Sequence, residues 1–131
     1  MLPVTVDICD IIDNNSIAVL GTDLFYDKEQ EKPDDVVTIY AYSSVPSNSY
    51  NCDSPEKYFV QIRVRSKIHI DGWNKMEQIT TLLNRQTYTV NGSPYDTHYS
   101  FVANTLPINI QQDLKNRHIL IMNYSVTRWL V

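Results

Sequence analysis

The clearest periodicity in the chain is a two-residue alternation in Tyr58–Arg65, where Tyr58, Val60, Ile62 and Val64 alternate with Phe59, Gln61, Arg63 and Arg65. That pattern predicts a strand with one apolar face, and it places Arg63, Arg65 and Lys67 on its outward side. Val36–Tyr42, VVTIYAY, reads as a second strand, and His118–Trp129, HILIMNYSVTRW, as a long third one. In that last strand Ile119, Ile121, Asn123, Ser125 and Thr127 share one face, and His118, Leu120, Met122, Tyr124, Val126 and Arg128 the other. Ile17–Phe25 is apolar enough for a strand bent at Gly21, and Tyr88–Val90, Tyr99–Ala103 and Leu106–Ile110 read as shorter ones. Asn91-Gly92 marks the turn that follows Val90.

Two stretches change period. After Pro3, the residues Val4, Ile8, Ile11 and Ile12 recur at helical spacing with Asp7, Asp10 and Asp13 between them, and Asn14–Ser16 end the run. From Asp71, a residue suited to capping, Trp73, Met76, Ile79, Leu82 and Leu83 form an apolar stripe, while Asn74, Lys75, Glu77 and Gln78 face outward. The two helices fall between groups of strands. The expected fold is therefore α+β: a mixed or antiparallel sheet of about five to seven strands, with both helices packed mainly on one face. At 131 residues, without a linker or repeat, the chain reads as a single domain, 1–131.

Composition narrows the function. The formal charge of -4 argues against a surface built as a whole for polyanions. Nine tyrosines favour packed sheet and protein contact over disorder. Cys9 and Cys52 stand apart with no ligand partner nearby, and they read as free thiols. No apolar run is long enough to span a bilayer, and the expectation is a protein made in a cytoplasm with no membrane partner. With only Gly21, Gly72 and Gly92 as glycines there is no phosphate-binding loop. His69, His98 and His118 have no metal-ligand spacing, and no acid, base and nucleophile converge in the sequence. The reading is a protein without enzymatic activity, cofactor or metal.

Two loops and the basic strand face are left. Tyr26–Asp35, YDKEQEKPDD, is a charged loop containing a proline, and Asp34-Asp35 at its end is first of all a solvated pair. Ser43–Pro55 is long and rich in turn formers, which raises a functional suspicion for Tyr50, Asn51, Cys52 and Asp53. Arg63, Arg65 and Lys67 are open to three readings: ordinary outward residues with solvated ends, a contact to nucleic acid, or pairing with acids of another subunit. Three cations in one copy are a thin basis for binding nucleic acid.

The order of features is more informative than any motif. An amino-terminal helix, VLGTDLFYD, the acidic proline loop, VVTIYAY, PEKYFVQIRVRSK, HIDGWNKMEQITTLLN, YTVNG and HILIMNYSVTRW together resemble the small minor capsid proteins of tailed phages and the tail-terminator, or tail-completion, group. The resemblance covers nearly the entire chain and is carried most by Gly21–Phe25, Gln61–Arg65 and His118–Trp129. It implies an α/β subunit that assembles into hexameric rings on the end of the tail tube. Such rings stop tube polymerisation and present a surface to the capsid connector.

The implied partners are other copies of the chain, the tail-tube protein, head–tail connector proteins and DNA passing through the ring; the implied place is the virion tail at its head-proximal end. A head-proximal connector and, more distantly, a nucleic-acid-binding module are the alternatives. In a ring the long loops could reach neighbours or the tube. Six copies would present about eighteen basic groups, enough to matter in a lumen. Pairing of Arg63, Arg65 and Lys67 with Asp27, Glu29, Glu31, Asp34 or Asp35 of an adjacent subunit is the favoured expectation, ahead of DNA contact.

Overall fold

A computed structural model describes residues 2–45, 55–92 and 95–130. In chain order the elements are α1 (Val4–Asn14), β1 (Leu24–Tyr26), β2 (Val36–Val45), β3 (Glu56–Ser66), α2 (His69–Leu83), β4 (Thr87–Val90), β5 (Thr97–Ala103), β6 (Ile108–Gln112) and β7 (His118–Leu130). Two helices thus accompany a seven-stranded sheet ordered β1-β2-β3-β7-β5-β4, with β6 also paired to β7. β1 runs parallel to β2 and every other pairing is antiparallel, so the sheet is mixed and strand dominates. Residues 46–54, including Tyr50, Asn51, Cys52 and Asp53, lie outside the described residues; Ser43–Val45, expected in the loop, belong to β2.

β7 organises the sheet because its thirteen residues exceed the reach of any neighbour. One edge pairs with β3 over its whole length, from Glu56 opposite Arg128 to Ser66 opposite His118. The other edge is divided between β5, opposite Tyr124–Leu130, and β6, opposite His118–Ile121. Alternation then selects the core. Val37 and Ile39, Val60, Ile62 and Val64, Leu120, Met122, Tyr124 and Val126, and Tyr99 and Phe101 are all buried in one cluster with Val4, Ile8, Ile11 and Ile12 of α1 and Met76, Ile79 and Leu83 of α2. Each fully buried aliphatic side chain contributes about 1.5–3 kcal/mol. That packing offsets the poor intrinsic helicity of the β-branched VTVDICDII run.

Several boundaries differ from the periodicity. The strand expected over Ile17–Phe25 is reduced to three residues, because Asp23 Oδ1 accepts the Val19 N–H at 2.6 Å and folds 19–23 into a turn with Gly21 at φ +87°. α2 begins at His69 rather than at an Asp71 cap, and Asp71 instead lies in its first turn, where a carboxylate complements the helix dipole. The strand expected over Leu106–Ile110 runs over Ile108–Gln112, leaving Leu106 and Pro107 in the connection from β5.

Candidate functional site

The acidic loop between β1 and β2 does not stand away from the body. It folds across the ends of β3 and β7 and is fastened there by two buried arginines. Arg65, 3% exposed, donates from Nε to the Asp34 carbonyl at 3.1 Å and from Nη2 to the carbonyls of Glu31 at 3.1 Å and Pro33 at 2.7 Å, with Glu29 Oε2 3.8 Å from Nη1. The planar guanidinium suits this work because several donors diverge from one rigid group. The prediction that Arg65 faces outward is corrected here: alternation does aim it away from the core of Val60, Ile62 and Val64, but the loop covers that side and makes it an interior residue.

Arg117, 4% exposed, holds the same loop from the turn before β7. It donates to the Glu31 carbonyl at 2.9 Å, and ion-pairs with Glu31 at 3.2 Å, Asp34 at 3.4 Å and Asp113 at 2.7 Å. Asp113 also accepts the backbone N–H groups of Lys115 and Arg117, which shapes the turn that aims the arginine. Lys115 completes the group with a 2.5 Å pair to Glu31. The hydrogen bond from Lys115 holds the Glu31 carboxyl below its usual range, assisted by Arg117 and Arg65. Partial desolvation pushes Asp113 up, but the hydrogen bonds from Arg117 and Lys115 outweigh it and its carboxyl also lies low. Burial lowers Arg117 and its acids more than compensate, so it stays charged.

The remaining expected residues take different places. Arg63 Nε lies 3.3 Å from Glu29 Oε1, yet both atoms lack a hydrogen-bonded partner. Their contact is a pairing of charge without hydrogen-bond alignment. Lys67 is exposed beyond the end of β3, and its backbone N–H donates to Asp35 Oδ1 at 2.9 Å. Asp27 is exposed at φ +64°, its N–H bonded to the Ile39 carbonyl. The structure therefore gathers Glu29, Glu31, Asp34 and Asp35 with Arg63, Arg65 and Lys67 inside a single chain and leaves Asp27 apart.

A second polar group sits at the opposite end of β7. Arg128 is 6% exposed and donates to the Leu2 carbonyl at 2.8 Å, to Glu56 Oε2 at 2.8 Å and to the Tyr58 hydroxyl at 2.8 Å, while its guanidinium lies 4.9 Å from the Tyr58 ring centre. Burial raises the Glu56 carboxyl, but hydrogen bonds from Arg128 and Tyr58 hold it below its usual range. Burial lowers Arg128, and bonding to Tyr99 and Glu56 reverses the shift, leaving it firmly cationic. The Tyr99 hydroxyl donates to the buried Asp7 of α1, and burial together with that carboxylate pushes the phenol well up. This network ties α1 to β3, β5 and β7.

Sequence reading missed Arg117 and Arg128 as anchors. For Arg128 the signal was present, since it continues the apolar register of Leu120, Met122, Tyr124 and Val126; a charge in that register requires buried partners. Arg117 carried only a local one, Asp113 four positions before it, because its loop partner Glu31 lies 86 positions earlier.

What these groups do chemically is hold structure. Among the described residues, no group of three or more His, Cys, Asp or Glu side chains is arranged to hold a metal ion. A cavity of about 170 Å³ beside Arg65 is lined by Asp23, Asp35, Asp71 and Lys75, polar groups close to the loop anchor. No helix among the described residues is long and apolar enough to cross a membrane.

Fold and site together define a small, sheet-dominated structural subunit whose strongest ionic contacts fasten its own loop and terminus. A family profile described as bacteriophage tail terminator protein matches residues 11–128, and the chain belongs to that family. Its role is accordingly a structural one in the phage tail. A search of curated proteins gives no match.

Proposed function

We propose that the protein caps the tail tube, ends its polymerisation and presents the surface to which the head connector joins, as a ring of about six copies at the head-proximal end of the tail. The observation that carries this reading is the family match over 11–128. The fastened loop supports it: a cap that must meet a tube on one side and a connector on the other gains from a surface fixed before assembly. We read both helices as covering one face of the sheet, supported by their shared core with alternate strand residues. Half-exposed Tyr40, Gln61, Asn123 and Ser125 then lie on the other face, available to partners.

DNA passes through the ring without being gripped. Arg63 and Arg65 share the Glu29 carboxylate of their own chain's loop, and Lys67 alone of the three basic groups is exposed with no ion pair among the described residues. The intersubunit role first expected for these arginines becomes indirect, since they fix the loop that a neighbour meets.

The test is polymerisation of purified tail-tube protein with and without this protein, read as tube length by electron microscopy. The expected result is shorter tubes as the ratio of cap to tube protein rises. Tubes of unchanged length, with the protein bound only to isolated connector complexes, would move it to the connector side of the joint.

A further inference from the structure

Asn91-Gly92 is the only Asn-Gly pair in the chain, and the turn it predicts is not the turn it makes. A two-residue Asn-Gly turn would join β4 to β5 directly; the connection instead holds six residues, 91–96. Glycine is required at 92 for space. A Cβ there would stand 2.7 Å from the Tyr95 carbonyl oxygen, while the residue's φ lies outside the left-handed region. Close approach of the backbone thus fixes a glycine after Asn91.

That pair carries a chemical liability. Asparagine is thermolabile, and a following residue without a side chain leaves its backbone nitrogen free to reach the asparagine amide carbon. In the reaction, the Gly92 nitrogen gives its proton to solvent and attacks Asn91 Cγ. A new N–C bond forms, the Cγ–Nδ2 bond breaks, and ammonia leaves with a proton taken from water. Water then opens the cyclic imide at either carbonyl, giving aspartate or its iso form. Asn91 and Gly92 are both exposed, so water and base have access to them.

Asp96 stands against the first step. Its Oδ1 accepts the Gly92 N–H at 3.2 Å. The carboxylate is held in place by its chain neighbour: Asp96 is half-buried, and Thr97 beside it is 6% exposed and paired with Val90 in the β4–β5 ladder. An N–H that donates to a carboxylate parts with its proton less readily, and negative charge close to the nitrogen opposes a second negative charge on it.

We propose that Asn91 is a deamidation site and that Asp96 guards it, holding the Gly92 N–H so that the reaction waits on opening of the hairpin. Failure of the guard has a local consequence. It sets a new carboxylate near Asp96 and, in the iso form, adds a backbone methylene to a turn that has no room for a Cβ at Gly92. The β4–β5 pairing begins at this turn, with Val90 opposite Thr97, and loosens first. The inference does not depend on the ring reading, and its failure leaves the tail-end role as it stands.

The test is peptide mapping by mass spectrometry after incubation at mildly alkaline pH, following conversion of Asn91 in the wild type, Asp96→Ala and Asp96→Asn, each in native buffer and in urea. Native wild type is expected to deamidate on the order of tenfold more slowly than the unfolded chain. Asp96→Ala is expected to speed the native reaction roughly fivefold. Asp96→Asn, which keeps the shape and an acceptor but not the charge, is expected to fall between them. In urea all three should react alike.

Hydrogen exchange of the β4 and β5 amides in the same samples separates a lost guard from a loosened hairpin, and protection in Asp96→Asn is expected to match the wild type. Wild-type rates in both variants, or a native wild type that reacts as fast as the unfolded chain, would overturn the proposal. So would acceleration that tracks lost protection of β4 and β5, which places the effect in the hairpin. A native wild type that reacts faster than the variants would overturn it as well, since Asp96 would then be the base that removes the proton.

Discussion

Cys9 illustrates how far a single side chain is governed by its surroundings. It is wholly buried on α1, and desolvation, followed by the charges of Asp10, Asp27 and Asp13, pushes its thiol up to about 12. A folded value above the unfolded one means that the unfolded chain loses this proton first. The thiol's contribution to stability is thus intact below about pH 9 and is lost as pH rises towards 12. Alkylation at pH 8, followed by peptide mapping, is expected to modify Cys9 on the order of a hundredfold more slowly in the native protein than in urea. Equal rates would place the thiol outside the core.

The two strand arginines differ in the same way. Arg65→Met leaves three loop carbonyls without their buried donor and is expected to cost about 2–4 kcal/mol in urea unfolding. Arg63→Ser removes a partly exposed, poorly aligned pair and is expected to cost under about 1 kcal/mol. The reverse order would contradict the assignment of Arg65 as the loop's anchor.

Between elements, α2 comes close to β3 and β7 at Gly72. A Cβ there would stand 2.9 Å from Ser66 Cβ and 3.0 Å from Leu120 Cδ1. Helix propensity favours Gly72→Ala by about 1 kcal/mol, but separating a packed helix from its sheet costs about 1–3 kcal/mol. The melting temperature is therefore expected to fall; a rise would show that α2 has room to move.

The acidic loop supplies a second prediction. Glu31, Asp113 and Glu56 have lowered folded values, so their stabilisation is present above the unfolded carboxylate range and is lost as pH falls through the folded values. Hydrogen exchange of residues 27–35, corrected for intrinsic rates, is expected to accelerate below about pH 4, before the β3–β7 core opens. Simultaneous opening of loop and core would mean that the loop is not a separate unit.

These elements also show what a sequence can disclose. Strands β3 and β7 and the stripe of α2 were legible because each has one buried face and a regular period. The three-residue β1 was not, since one local bond from Val19 to Asp23 ends the strand that its apolar residues suggest. The loop anchor was half legible: its arginines and acids were singled out except Arg117 and its partner Asp113, but their meeting within one chain depends on a fold-back that no short-range pattern records.

For the whole molecule, a small subunit with a preformed loop and membership of the tail-terminator family supports the proposed part, one that stops a polymer by ending it. The burial of Arg65 beneath its own loop is consistent with the proposed passage that lets DNA through. The most direct measurement is electron microscopy of tail tubes mixed with the purified protein, with subunits counted in end-on averages. The account predicts a ring of about six subunits at one end of each tube and none along its length. Protein distributed along the tube wall, or tubes that keep elongating from the occupied end, would contradict it.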